Sequence, residues 1–254
     1  MSENLQSELL AGIAAQIAYA AAELPVNPLT GFLALKGKAY TGELMWAGRA
    51  VNGWMGSQTP VELQDPINAA AFLQEVEDTR SSAEDAEFCP MRWVTDLWGA
   101  RVPPNPYNSK RSAFWRTANQ VTISSGISKL DPVHWSSALV WSNLYKVAPA
   151  TGGNPNQKLK YLQKDACRKI LENEISTYRP KRLVFASGAD WADDFLDLPC
   201  FSSGTIDGQK SYVERVGDLV VDGEKIGKYV VAAHPQGKNE TIWVDEVMAG
   251  LESQ

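Results

Sequence analysis

Cysteine and histidine are scarce in this chain, and the scarcity removes whole classes of chemistry. Among 254 residues there are three cysteines, Cys89, Cys167 and Cys200, and two histidines, His134 and His234. Three widely spaced thiols make no disulfide framework, no CxxC zinc pair and no four-thiolate cluster. Two histidines do not make a histidine-rich metal site, so metal-free chemistry without a cofactor is expected. Long apolar runs are also missing. No segment reaches the roughly 18 uninterrupted apolar residues of a spanning helix. Residues 9–22, LLAGIAAQIAYAAA, look like a signal-peptide core, but Glu3 and Glu8 stand where a basic leader belongs. An amphipathic first helix, a cytoplasmic location and no membrane partner are therefore expected.

Nucleotide-cofactor loops are absent as well. No GxGxxG follows a strand. GFLALKGKA at 31–39 has five residues between its glycines and Ala39 where a magnesium-binding hydroxyl belongs. Ser142 lies inside an apolar run rather than in a GxSxG elbow, so no serine triad has a signature.

The composition is that of an ordinary globular protein, 44% hydrophobic and 21% charged, with net charge −6. The charges are unevenly spread. Residues 75–87 carry six acids against Arg80, whereas 101–116 carry Arg101, Lys110, Arg111 and Arg116 and no acid. Residues 158–182 carry eight bases against Asp165, Glu172 and Glu174. Two basic stretches in an acidic chain suit a polyanion held on one face, and a plain solvated surface equally.

Four apolar runs read as buried strands: 44–47, 138–142, 183–186 and 229–233, stopping at Gly48, Asn143, Ser187-Gly188 and His234-Pro235. Asn154 as N-cap and Pro155 in the first turn predict a helix that Pro180 ends, with Leu159, Leu162, Ala166, Ile170, Ile175 and Tyr178 largely on one face. Strand, helix, strand is the crossover unit of a parallel sheet. DWADDFLDL after Gly188 predicts a short helix, and the glycines at 204, 208, 217, 223 and 227 a hairpin or extended loop. A single three-layer α/β domain over 1–254 follows, αβα around a central, mainly parallel four-stranded sheet. Its N-terminal helical segment is 1–30 and its core 43–238.

In such sheets ligands bind past the strand ends. The residues there are Arg49 to Trp54, Asn143 to Lys146, Gly188 to Trp191, and His234 to Lys238. Asn143 can donate and accept at two edge atoms of a base, or it can cap a turn. His234 is a candidate acid–base group or a turn residue. Trp54 and Trp115 are candidate stacking rings, while Trp46 and Trp141 are expected in the core.

Taken in order, GRAVNGW (48–54), WSNL (141–144) and AAHPQGK (232–238) resemble the uracil-DNA glycosylase superfamily, over residues 43–238. The resemblance implies a monomeric enzyme that flips a base from DNA and hydrolyses its N-glycosidic bond, leaving an abasic site. By resemblance, Asn143 reads the base and His234 donates to the base oxygen as charge develops. The first loop (Gly48, Arg49, Ala50, Asn52) positions water, and Trp54, with Trp115 second, stacks on the base. Backbone N–H groups of Gly153, Gly188 and Gly237, with Gln236, Lys238, Lys110 and Arg111, hold DNA. The family places Asp or Asn where this chain has Ala50, and often Ser where it has Gln236. Asn52 is then the only amide of the loop. These changes leave room for a modified pyrimidine, such as the glycosylated hydroxymethylcytosine of some phage genomes, and a role in phage defence. The cysteine count excludes the iron–sulfur branch. The alternatives are a nucleic-acid-binding protein with the pocket but no hydrolysis, and an unrelated α/β enzyme acting on nucleotides.

Overall fold

The computed structural model describes residues 3–81, 87–100, 107–203 and 211–253. Arg101, the acids Glu84 and Asp85, and Gly204 and Gly208 lie outside them. In chain order the elements are α1 (Glu3–Tyr19), β1 (Leu29–Gly31), β2 (Leu35–Lys36), β3 (Leu44–Gly48), α2 (Pro66–Arg80), α3 (Arg92–Asp96) and α4 (Ala113–Ser124). Then follow β4 (Leu139–Asn143), β5 (Val147–Pro149), α5 (Gln157–Tyr178), β6 (Arg182–Phe185), α6 (Ala189–Ala192), β7 (Phe201–Ser203), β8 (Val213–Val221), β9 (Glu224–Ala232) and α7 (Glu240–Glu252). The architecture is mixed α/β. The chain divides into two compact units, one of Met1–Ala34, Arg49–Ala86 and Asn143–Thr177, the other of Leu35–Gly48, Glu87–Ser142 and Tyr178–Gln254.

A seven-stranded mixed sheet organises the second unit, in the order β2-β4-β3-β6-β9-β8-β7. The four apolar runs stand side by side within it, as β4, β3, β6 and β9. Leu44 pairs with Arg182 and Arg182 with Lys228, so β3, β6 and β9 run parallel and end at one edge. The sheet is wider than the four strands expected because β2, β7 and β8 add antiparallel strands. The sequence hides them for different reasons. β2 and β7 are too short to set a pattern, and β8 (VERVGDLVV) alternates buried and partly exposed positions instead of forming an apolar run. Asp222 (φ 56°) and Gly223 (φ 81°) turn β8 into β9, the two positive φ angles of a tight hairpin.

Every residue of β3 and β4 is buried. Trp46 packs its ring 5.8 Å from Phe114 of α4 and 5.9 Å from Trp243 of α7, and all three belong to one aromatic core. Burying one such side chain contributes roughly 1.5–3 kcal/mol. Phe114 extends this core to Trp115, which clusters with Trp93 and Trp141 at ring centroids 5.1 to 5.7 Å apart.

In the first unit, Leu10, Ile13, Ala14 and Ile17 form the buried stripe of α1, the amphipathic first helix expected from the sequence. Helix α2 is not among the expected elements, although its start signal is present: the Asp65 carboxylate accepts from Ile67 N at 2.8 Å, with Pro66 in the first turn. Strand β1 pairs antiparallel with β5. Gly31 is needed there because a Cβ would come within 2.7 Å of Val76 and 2.8 Å of Phe72.

Helix α5 corrects two details. Its cap is Asn156, whose Oδ1 accepts from Leu159 N at 2.8 Å, so Asn154 and Pro155 precede the helix. Its buried stripe runs through Leu159, Gln163, Cys167, Ile170 and Glu174, while Leu162 and Ala166 are only half-buried. Two polar side chains occupy core positions that hydrophobic periodicity assigns to their neighbours.

Candidate functional site

The first unit brings two of the expected strand-end stretches together with the turn that holds Gly153. The loop after β3 runs from Arg49 to Trp54. Tyr145 N donates to Arg49 O at 3.0 Å, tying this loop to the segment that begins with Asn143. Asn52 Oδ1 accepts from Gly153 N at 2.6 Å, tying it also to the turn before α5. That turn needs glycines: Gly152 has φ 99° and Gly153 φ 92°, and a Cβ on Gly152 would stand 3.2 Å from Asn52 Oδ1. Asn52 and Gly153 therefore form one structural bond. Asn52 is exposed and Ala50 half-buried, and one of the two lone pairs of the Asn52 carbonyl is taken by the backbone.

Trp54 lies edge-on to Phe32, centroids 6.5 Å apart. It walls a shallow surface crevice, shared with Thr30, Met55, Glu75 and Thr79, that encloses no room even for a water molecule. Asn143 ends β4 and is 2% exposed.

The segment after Asn143 is held by a polar core. Gln163 Oε1 accepts from Lys146 N (2.9 Å) and Val147 N (2.8 Å), and its amide donates to Val147 O (2.8 Å). Lys146 Nζ reaches Glu174 Oε1 at 2.7 Å, and both side chains are fully buried. Burial pushes the neighbouring Cys167 thiol up to about 12. The sequence marks Lys146 as a strand-end residue, but nothing in it marks Gln163 and Glu174 as core groups. Their only signal is position, i and i+11 on a helix whose apolar stripe they interrupt.

The second unit holds the His-Pro segment. Ala233 N donates to Tyr212 O at 2.8 Å, and the Trp243 indole N–H donates to Ala233 O at 2.7 Å. Gln236 N donates to Nδ1 of His234 at 3.3 Å. A neutral His234 ring with an accepting Nδ1 carries its proton on Nε2, as a donor. Lys238 N closes a turn on Pro235 O at 3.1 Å, with Gly237 at φ 74°. Gln236, Gly237 and Lys238 are exposed, and Lys238 Nζ lies 5.7 Å from the Tyr212 ring centroid. Asn239 Oδ1 then caps α7 through Ile242 N at 3.2 Å.

Gly48 is the buried last residue of β3. It shares the parallel-strand edge with Gly188, whose N–H donates to Ala232 O at 2.9 Å. The N–H groups of Gly153 and Gly188 are thus engaged within the protein, which corrects their expected use on phosphate. Trp115 is also corrected. It is 2% exposed, its ring 5.0 Å from Phe114, so it is a core residue rather than a platform beside a base. Lys110 and Arg111 are exposed on a short turn capped by Asn108. Arg116 beside them is bound by Glu240, which raises its pKa further.

Among the described residues no group of His, Cys, Asp and Glu side chains is arranged to hold a metal ion, and no helix is long and apolar enough to cross a membrane. No family model and no curated protein matches the chain.

Proposed function

We propose that the chain is a DNA glycosylase that excises uracil or a modified pyrimidine, built on the three-layer fold with a parallel four-stranded core that this chemistry uses elsewhere. The observation that carries the reading is His234. It follows the end of a central parallel strand, and its Nδ1 accepts from Gln236 N. That bond favours the tautomer with a proton on Nε2, a donor suited to a base oxygen that becomes negative. In the reaction the C1′–N bond breaks, its electrons pass to the base, and water adds to the cationic sugar carbon. The resemblance, and not a position relative to His234, supports Asn143 as the amide for the base edge and Trp54 as the stacking ring, a contact worth roughly 1–3 kcal/mol.

The test is an alkali-cleavage assay on uracil-containing DNA and on DNA carrying glycosylated hydroxymethylcytosine. His234→Ala is expected to lower the single-turnover rate about 10²–10³-fold with little change in DNA affinity. Absence of alkali-labile sites on both DNAs, while binding persists, rejects the enzyme reading.

One observation favours a second reading, a DNA-binding protein without hydrolysis. Ala50 has no group that can touch a proton, and the Asn52 carbonyl is bonded to Gly153 N. In the enzyme, Asn52→Ala abolishes turnover and keeps affinity. In the binder, wild type and variant are equally silent in the cleavage assay.

A further inference from the structure

The carbonyl that precedes His234 is held by a side chain from another element. Trp243 of α7 is fully buried, and its indole N–H donates to Ala233 O at 2.7 Å. The N–H of the same Ala233 donates to Tyr212 O at 2.8 Å. Tyr212 N in turn donates to the Glu246 carboxylate at 2.5 Å. Trp243 and Glu246 stand three residues apart on one face of α7, so a single helix fixes both sides of the strand end. Pro235, buried just after, restricts His234 to extended backbone. The turn then runs to Asn239, whose side chain caps α7, and the indole closes it back onto Ala233.

With both polar groups of Ala233 engaged, the His234 main chain is held in place, and Nδ1 stays where Gln236 N donates to it. From these observations we infer that Trp243 is a positioning residue for His234: its N–H holds the mount that keeps the ring proton on Nε2. This rests on the reading of His234 as the donor to the base oxygen, but the state of the ring is measured without any DNA. The other histidine supplies an internal reference. Thr95 Oγ1 donates to Arg92 O at 2.9 Å, so it accepts from His134 Nδ1 at 3.0 Å, and that ring carries its proton on Nδ1. Trp46 supplies a packing reference. It lies 5.9 Å from Trp243 in the same core and is equally buried, yet its Nε1 makes no hydrogen bond among the described residues. Replacing Trp46 therefore removes packing without removing a hydrogen bond.

The experiment is ring-nitrogen NMR of the full chain at about pH 8.5, well above the ordinary imidazole value of about 6.5, where the neutral tautomers are read. His134→Gln assigns the two spectra. The wild type is expected to show His234 with its proton on Nε2 and His134 with its proton on Nδ1. Trp243→Phe should move His234 to a mixture of tautomers and leave His134 unchanged. The single-turnover excision rate should fall about tenfold in that variant, with DNA affinity held within about twofold. Trp46→Phe should leave ring and rate unchanged. Trp243→benzothienylalanine keeps the shape of the indole and lacks its N–H, so it decides the matter if Trp243→Phe melts early. A wild-type His234 with its proton on Nδ1 overturns the inference. So does a ring that stays on Nε2 in both variants of Trp243, whether or not the wild type excises bases. The same ring change in Trp46→Phe assigns the effect to packing and overturns it as well. A shifted ring with an unchanged rate, in a wild type that excises, overturns the part of Trp243 in the chemistry. A shifted ring in a wild type that excises nothing supports the positioning and removes only the glycosylase.

Discussion

Lys146 and Glu174 carry opposite charges where neither meets water. Their 2.7 Å bond lies inside the first unit, and removing one partner strands the other in a medium that cannot solvate it. Glu174→Gln is therefore expected to lower unfolding free energy by about 3–5 kcal/mol, read from urea denaturation. Replacing both residues with apolar ones of similar volume should recover most of that loss. If the single and double variants lose the same amount, the charge pair is not what holds this region. Asn52 makes a smaller case. Asn52→Ala removes the bond to Gly153 N and should cost about 1 kcal/mol. Asn52→Asp keeps an acceptor at the same place, so it should hold stability within about 0.5 kcal/mol and add a carboxylate beside Ala50. A rise in turnover in that variant would show that the loop faces the reacting water.

At the scale of elements, Asn156 starts α5 by accepting from Leu159 N. Asn156→Ala should cost about 1 kcal/mol, whereas Asn154→Ala should be nearly silent, a difference visible in melting temperature. This pair of variants also separates what sequence pattern can reveal from what it cannot. Continuous apolar runs of four or five residues that stop at glycine or asparagine, such as Leu44 to Ala47, announce buried strands because a helix buried on all sides runs longer. The hairpin at Asp222 and Gly223 announces itself through residues that accept positive φ. The register of a helix cap does not, because Asn154 and Asn156 are chemically identical and flank one proline. The stripe of α5 is hidden for a related reason. Gln163 is buried because backbone groups of Lys146 and Val147 need partners, and those groups come from a strand too short to be read. Among site residues, His234 and Asn143 are legible as strand-end positions. Trp115 is not, because a tryptophan on an amphipathic helix carries no mark of whether it faces the core or a ligand.

For the whole molecule, two groups of ionisable side chains set opposite limits on stability. Hydrogen bonds from Lys181, then the charges of Lys181 and Arg182, hold Glu43 below the usual carboxylate range, and Lys225 with Lys228 does the same for Asp218. A lowered native pKa contributes stability above the unfolded value and loses it as pH falls through the native one. Burial raises Tyr40, with Glu43 and Tyr178 adding to it, and burial raises Cys167 to about 12. Those contributions are complete below the ordinary thiol and phenol values and fade as pH rises toward the native ones. Urea midpoints should therefore be flat from about pH 5 to 8, then fall on the acid side below about 4 and on the alkaline side above about 9. A midpoint that keeps rising below pH 4 would contradict the assigned directions.

Each of the two compact units is assembled from three separate stretches, and the stretches alternate along the chain. The polypeptide consequently passes from one unit to the other five times. A cut after Thr177 keeps the first unit whole and a cut before Leu35 keeps the second whole, but each fragment still carries two stretches of the other unit, so neither unit can be obtained alone by truncating the gene. A ribosome has made all but the last 22 residues before the second unit has its final strand, β9, which ends at Ala232. Insertion of a foreign domain, by contrast, meets five natural crossing points, and tolerance at those points would map which crossings the molecule can spare.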